Sequence, residues 1–257
     1  MDCLDLGFGL LGEHLSHSYS PLIHKELGNY KYKLYEKRPE ELADFFQNSD
    51  FNGINVTIPY KKTVIKFCKE LSETVHLTGS VNIITRCSDG SFYGDNTDYF
   101  GFAYLLKKIK VNITSGKIII LGSGGSSLTT QAVLRDMNSG EIIVVSRTGI
   151  DNNYKNIEKH KDAILIINTT PVGMYSNDNY GVSPLADIKI FKNCQAVVDL
   201  IYNPPKTELM IQAEKLGISC VNGLVMLVAQ AKKSAELFMH TSIPDEQIEV
   251  ITSKFAV

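Results

Sequence analysis

The chain has 257 residues, with 26 Lys and Arg against 28 Asp and Glu, a formal net charge of −2 and an apolar fraction of 44%. That balance excludes a disordered chain and offers no basic excess with which to hold nucleic acid by charge. No run of about 18 apolar residues is available for a membrane span, and the acidic Met1–Asp5 start is unlike a signal peptide. The five cysteines are widely spaced without a C-x-x-C pair, and the six histidines form no H-x-x-x-H pair. Reduced thiols in a cytoplasmic protein without a metal site are expected.

In chain order, Leu6 to Leu11 is an apolar run ending at Gly12, read as a strand. Pro21 opens a helical stretch to Leu27, since proline is favoured at a helix start. Tyr32 to Tyr35 alternates as a strand does, and Pro39 to Gln47 places Leu42, Phe45 and Phe46 on one helical face. Gly53 to Ile58 is a β-branched strand that Pro59 ends, and Pro59 is expected to start a helix. Val81 to Thr85 and Ser91 to Tyr93 read as strands around the turn Ser88-Asp89-Gly90, followed by a helix over Thr97 to Ile109.

The second part opens on Lys117 to Leu121, a continuous apolar run of the kind covered on both faces of a parallel sheet. A glycine loop and a helix to Met137 follow. Ile142–Val145, Ala163–Ile167, Ala196–Leu200 and Ile218–Val221 are further strands; Thr207–Leu216, Leu224–Met239 and Asp245–Phe255 are helices. Strands alternating with helices predict an α/β fold with mainly parallel sheets and right-handed crossovers.

Strand, Gly122-Ser123-Gly124-Gly125-Ser126-Ser127, then helix is the setting a dinucleotide-binding turn requires. Gly122 permits the tight turn, Gly124 lets backbone approach a pyrophosphate, and the helix N-terminus offers free N–H groups. An NAD site usually has a carboxylate at the end of the next strand, for the ribose 2′-hydroxyl. Here Ser146-Arg147-Thr148 stands instead, and an arginine grips a 2′-phosphate that a carboxylate would repel. NADP is therefore favoured over NAD.

Three polar groupings in the first hundred residues are costly to bury without a purpose. Ser18-Tyr19-Ser20-Pro21 can hold a carboxylate or simply cap a helix. Asn55-Val56-Thr57-Ile58-Pro59-Tyr60-Lys61 puts Asn55 and Thr57 on one strand face with Lys61 on the next turn of chain, and Gly94-Asp95-Asn96-Thr97-Asp98 is a polar turn before a helix. Together with Gly79-Ser80-Val81-Asn82, the glycine loop, Asn168-Thr169-Thr170-Pro171-Val172-Gly173-Met174, Asp199-Leu200-Ile201-Tyr202-Asn203-Pro204 and Asn222-Gly223-Leu224-Val225-Met226-Leu227 with Gln230, the chain resembles the shikimate dehydrogenase family. The motifs occur in the family's order and span nearly the whole chain.

The resemblance implies an N-terminal α/β substrate-binding domain, residues 1–101 plus 223–257, and a Rossmann-type doubly wound NADP-binding domain, residues 102–222. It implies reversible NADPH-dependent reduction of 3-dehydroshikimate to shikimate, a step of aromatic amino acid biosynthesis. By matched position, Ser18 and Ser20 would hold the carboxylate with Tyr202 assisting, and Thr57, Lys61, Asn82, Asp98 and Gln230 would hold the ring oxygens. Gly122, Ser123, Gly124, Gly125, Ser126, Ser146, Arg147, Thr148, Leu200 and Gly223 would line NADP. Hydride addition to a ketone develops an alkoxide that needs a positioned acid. Lys61 is the one cation among the matched substrate residues, with Asp98 as its partner, so these two are the expected catalytic pair. The expected partners are small molecules, with no nucleic acid or membrane, for a monomer or homodimer.

The chain departs from the family pattern in places. Leu128 and Gly149-Ile150-Asp151 stand where basic residues often follow the glycine loop and the Arg-Thr pair, which weakens the expected NADP preference, and Ile83 replaces a Thr after Asn82. A quinate/shikimate dehydrogenase, even one using NAD, shares most of these motifs. A non-catalytic ligand sensor on the same fold would have no need of Lys61 and Asp98.

Overall fold

The structure, a computed structural model, describes residues 7–16, 18–48, 50–175 and 180–256; Met1–Asp5 and Leu6 of the sequence expectations lie outside these. The chain forms two compact units, Met1–Gly101 with Val228–Ile251, and Phe102–Leu227 with Thr252–Val257.

The first unit is built on a six-stranded sheet. Its strands are β1 (Phe8–Gly12), β2 (Tyr32–Glu36), β3 (Gly53–Val56), β4 (Glu70–Leu71), β5 (Ile83–Arg86) and β6 (Phe92–Asp95), in the order β2-β1-β3-β5-β6-β4. β1 runs parallel to both β2 and β3, whereas β3–β5 and β5–β6 are antiparallel. β4 runs parallel to β6, so the sheet is mixed, with three parallel pairings and two antiparallel ones. The Ser88-Asp89-Gly90 turn is too short for a crossover and can only reverse the chain, which makes β5 and β6 a hairpin. The helices α1 (Ser20–Leu27), α2 (Leu42–Asn48) and α3 (Glu73–Thr78) belong to this unit. Phe45, Phe46, Phe51 and Phe92 stack with Leu42, Ile54 and Ile84 in one aromatic-rich core.

The helix expected to start at Pro59 does not form as such. Tyr60 N–H donates to the Thr57 carbonyl in a turn, and only a short 3-10 segment, Thr63–Phe67, follows. The consecutive β-branched residues Thr63, Val64 and Ile65 weaken an α-helix here. Tyr60 is buried with its hydroxyl donating to the Lys37 carbonyl, which draws the chain inward. The helix α3 that follows was not anticipated, although Ser72 caps Val75 N–H at its start and Gly79 ends it at φ +61°.

Five further helices follow among the described residues: α4 (Asp98–Leu106), α5 (Gly125–Asp136), α6 (Glu208–Glu214), α7 (Leu224–Met239) and α8 (Glu246–Phe255). In the second unit, β7 (Lys117–Leu121), β8 (Glu141–Val145), β9 (Leu165–Asn168), β10 (Ala196–Asp199) and β11 (Ser219–Asn222) form a fully parallel sheet in the order β11-β10-β9-β7-β8. Ile118–Leu121, Leu165–Ile167 and Ala196–Val198 are buried on both faces, as their unbroken apolar runs require. The order is doubly wound, and winding reverses between β7 and β9. Ligands bind outside the carboxyl ends of strands at such a switch point. Among the described residues, no helix is long and apolar enough to cross a membrane.

Candidate active site

In the first unit the chain brings Lys61 against Asp98. Lys61 Nζ donates to Asp98 Oδ2 at 2.5 Å, and the two side chains are 15% and 8% exposed. Lys61 sits on the turn after β3, and its carbonyl is pinned by Val81 N–H at 2.8 Å. Asp98 begins α4, where free helix N–H groups favour a carboxylate. A nearly buried ammonium–carboxylate pair in which each partner still has some exposure can pass a proton to a ligand oxygen and recover it.

Asn82 and Gln230 meet beside Thr97, the residue before Asp98. Thr97 N–H donates to Asn82 Oδ1 at 2.7 Å, and Asn82 Nδ2 donates to Thr97 Oγ1 at 3.0 Å and to Gln230 Oε1 at 3.4 Å. The side chains of Asn82 and Gln230 thus lie together beside the residue preceding Asp98. Thr57 is half-buried just beyond β3, with its N–H on the Leu11 carbonyl. Ser20 is buried at the first position of α1, and its N–H donates to Ser18 Oγ at 3.2 Å. The N-cap residue Tyr19 makes no side-chain cap bond, and the Ser18 hydroxyl takes the first N–H of α1 instead.

A polar network missed in the sequence lies behind these residues. Tyr32 stacks on His24 with ring centroids 4.0 Å apart, and its hydroxyl donates to Asn55 Oδ1 at 2.8 Å. Asn55 Nδ2 donates to Ser234 Oγ at 2.7 Å, and Ser234 Oγ pairs with Thr97 Oγ1 at 2.9 Å. Burial pushes the His24 imidazole down to about 3, a hydrogen bond with Asn55 only partly opposing, and holds the Tyr32 phenol well above its ordinary range. Both rings are therefore neutral at physiological pH.

In the second unit the glycine loop leaves β7 at the switch point. Gly122 takes φ +105°, and a Cβ there would meet Thr169 Oγ1 at 2.8 Å and Thr170 Cγ2 at 2.9 Å, so only glycine fits. Gly124 is the N-cap of α5 with no side-chain cap bond, and a Cβ on it would meet nothing within 4 Å. The first N–H groups of α5, at Gly125, Ser126 and Ser127, thus have no side-chain acceptor from the cap residue and open space beside them, the cradle a pyrophosphate needs. Ser123 lies in the same loop. Ser127, in the place of the usual third glycine, is fully buried. Ser146 follows β8, with Arg147 and Thr148 exposed. These features fit a 2′-phosphorylated dinucleotide: backbone donors for the pyrophosphate and an exposed guanidinium beyond the neighbouring strand.

Leu200 and Gly223 meet across the ends of β10 and β11. A Cβ on Gly223 would lie 2.0 Å from the Leu200 carbonyl oxygen, and Gly223 N–H donates to the Ile201 carbonyl at 3.0 Å. Tyr202 follows in the same loop. The loop is braced by Asp199, fully buried, whose carboxylate accepts from Asn168 Nδ2 at 3.0 Å, Ile201 N–H at 3.1 Å and Thr207 Oγ1 at 2.7 Å. Burial outweighs these donors and pushes the Asp199 carboxyl up to about 6. Ser18, Ser20, Thr57, Lys61, Asn82, Asp98 and Gln230 therefore belong to the first unit, and Tyr202 with the loop residues belongs to the second.

Residues 10–84 match the family of the shikimate dehydrogenase substrate binding domain. Over 251 residues the chain is 35% identical to shikimate dehydrogenase (NADP(+)) of Clostridium perfringens, covering 90% of this chain and 91% of that protein. This chain belongs to the shikimate dehydrogenase family. A crystal structure of the family from Peptoclostridium difficile, shikimate dehydrogenase 1, superposes with a TM-score of 0.89 at 33% identity, covering 98% of each chain. Shikimate 5-dehydrogenase from Thermus thermophilus, in complex with NADP(H) and shikimate, superposes with a TM-score of 0.82 at 26% identity, over 97% of this chain and 99% of that one.

Proposed function

We propose that this chain catalyses the reversible NADPH-dependent reduction of 3-dehydroshikimate to shikimate. The observation that carries the reading is the Lys61–Asp98 pair at 2.5 Å, with Asn82 bonded to Thr97, the residue before Asp98, and to Gln230. Bound NADPH supplies the hydride. Lys61 Nζ, held by Asp98 Oδ2, gives a proton to the oxygen of the carbonyl as it becomes an alkoxide, and takes one back in the reverse direction. Thr57, Asn82 and Gln230 orient the ring oxygens, and Ser18 and Ser20, with Tyr202, hold the carboxylate. Gly122, Ser123, Gly124, Gly125 and Ser126 would hold the pyrophosphate, Ser146, Arg147 and Thr148 would meet the 2′-phosphate, and Leu200 and Gly223 would line the cofactor. By function, residues 1–101 with 223–257 are assigned to the substrate domain and 102–222 to the NADP domain, although the compact units divide after Leu227 and Ile251. A monomer or homodimer acting in the cytoplasm on small molecules alone completes the proposal.

The test is reduction of the coenzyme by the purified chain with shikimate and quinate side by side, each with NADP⁺ and NAD⁺. Turnover of shikimate with NADP⁺ well above the other three combinations is expected. Preference for quinate would reassign the substrate, preference for NAD⁺ would reassign the coenzyme, and no turnover with any combination would overturn the activity.

A further inference from the structure

The buried hydroxyl of Ser234 touches no residue assigned to substrate or cofactor, yet it stands where two arms of the site meet. It accepts from Asn55 Nδ2 at 2.7 Å and pairs with Thr97 Oγ1 at 2.9 Å, and it is fully buried. Asn55 lies on β3, six residues ahead of Lys61. Thr97 immediately precedes Asp98 and holds Asn82 through both its N–H and its hydroxyl. Ser234 also lies one helical turn beyond Gln230, so α7 faces the site twice, at i and i+4.

Packing alone gives no reason for a serine at this position. Ala229, Ala231 and Ala235, its neighbours on α7, are all fully buried, and alanine is the better helix former. A hydroxyl in such surroundings is retained only when it is hydrogen-bonded, and a fully bonded buried network fixes a single arrangement of its members. With alanine at 234, Asn55 Nδ2 would keep only the Asn82 carbonyl, at 3.4 Å. Thr97 would keep its bonds to Asn82 but lose the tie from its hydroxyl through Ser234 to Asn55 on β3.

We propose that Ser234 is a positioning residue: its hydroxyl ties the strand that leads to Lys61 to the turn that presents Asp98, and so holds the proton-transfer pair in register with the ring-oxygen ligands. The inference rests on the activity proposed above. It acts through Thr97 and Asp98, not through contact with a ligand.

The experiment uses the full chain in steady-state reduction of NADP⁺ by shikimate. Ser234→Ala should lower kcat about tenfold, a fraction of the loss that a 1 Å misplacement can bring, with the KM for NADP⁺ unchanged. Asp98→Asn and the double variant Ser234→Ala with Asp98→Asn should be nearly equal in kcat, because the hydroxyl works through that carboxylate. Ala235→Gly loosens the same helix without touching a hydroxyl, and should lower Tm while keeping kcat. Ser234→Cys has nearly the size of serine but bonds weakly; it should show the same direction of loss and serves if the alanine variant does not fold. Wild-type kcat in Ser234→Ala and Ser234→Cys would overturn the inference. So would a loss matched by Ala235→Gly, or losses that multiply in the double variant. Absence of turnover in the wild-type chain would instead overturn the activity itself, and the inference with it.

Discussion

Replacing His24 with asparagine should make the protein less sensitive to acid. The imidazole is 1% exposed, and its Nδ1 lies 2.5 Å from the Tyr30 hydroxyl. Burial lowers it from 6.5 to about 3, so the folded state resists protonation that the unfolded state accepts. Its contribution to stability is complete above pH 6.5 and is lost as pH falls toward 3. At about pH 4.5, two units below the unfolded value, the loss amounts to roughly 2–3 kcal/mol at about 1.4 kcal/mol per unit. Asp199 acts in the opposite sense: a carboxyl raised from 3.8 to about 6 stabilises the fold below that range and loses this contribution as pH rises through 6. The comparison must therefore be between wild type and variant. Asparagine keeps a polar atom near the Nδ1 position but loses the stacking on Tyr32, so His24→Asn should be the less stable protein at neutral pH, by about 1–3 kcal/mol. That gap should shrink on acidification. With thermal midpoints followed by circular dichroism at about pH 7.5 and 4.5, and some 2–4 °C per kcal/mol for a chain of this size, the difference in Tm should narrow by roughly 5–10 °C. A gap that stays constant between the two pH values would refute the reasoning, because it would mean that His24 is not protonated more readily in the unfolded state.

Two further substitutions probe the ligand sites. Arg147→Ala should weaken NADP⁺ by about 1.5–3 kcal/mol, the scale of a charge-assisted hydrogen bond, and leave NAD⁺ nearly unchanged in fluorescence or calorimetric titration; equal losses would show that Arg147 does not meet the 2′-phosphate. Ser18→Ala and Ser20→Ala should each raise the KM for shikimate more than they lower kcat, since a carboxylate remote from the reacting carbon is bound alike in ground and transition states. A loss confined to kcat would contradict that placement.

The parts of the fold governed by local signals were legible. Lys117–Leu121 reads as a doubly covered strand from its unbroken apolar run, and Leu224–Met239 reads as a helix with the same limits that the structure shows. The glycine loop was equally plain, because each glycine answers a local steric need. Lys61 and Asp98 could be named as partners, but their 2.5 Å approach joins residues 37 apart, which only the folded first unit brings together. The β5–β6 hairpin was legible as two strands around the turn Ser88-Asp89-Gly90, whereas the antiparallel pairing of β3 with β5 was not. The helix expected at Pro59 failed because three β-branched residues and the pull of Tyr60 into the core outweigh a favourable proline. Ser234 carried no signal at all: it is one serine on an alanine-lined helix, and its partner Asn55 lies 179 residues away. Asn168 and Asp199 were visible as motif members, but their role in bracing the Leu200–Tyr202 loop emerges only when the ends of β9 and β10 stand side by side.

The most direct test of the account is the kcat for reduction of NADP⁺ by shikimate in wild type, Lys61→Ala, Asp98→Asn and the double variant, measured with binding of both ligands. If Lys61 and Asp98 form one proton-transfer unit, Lys61→Ala should lower kcat by roughly 10²–10⁴, the usual worth of a positioned acid. NADP⁺ binding should be unchanged, shikimate binding little affected, and the combined loss well short of the product of the two single losses. Near-normal turnover in Lys61→Ala would contradict the account and move the proton to another donor, with the Tyr202 hydroxyl or a bound water next to be tested.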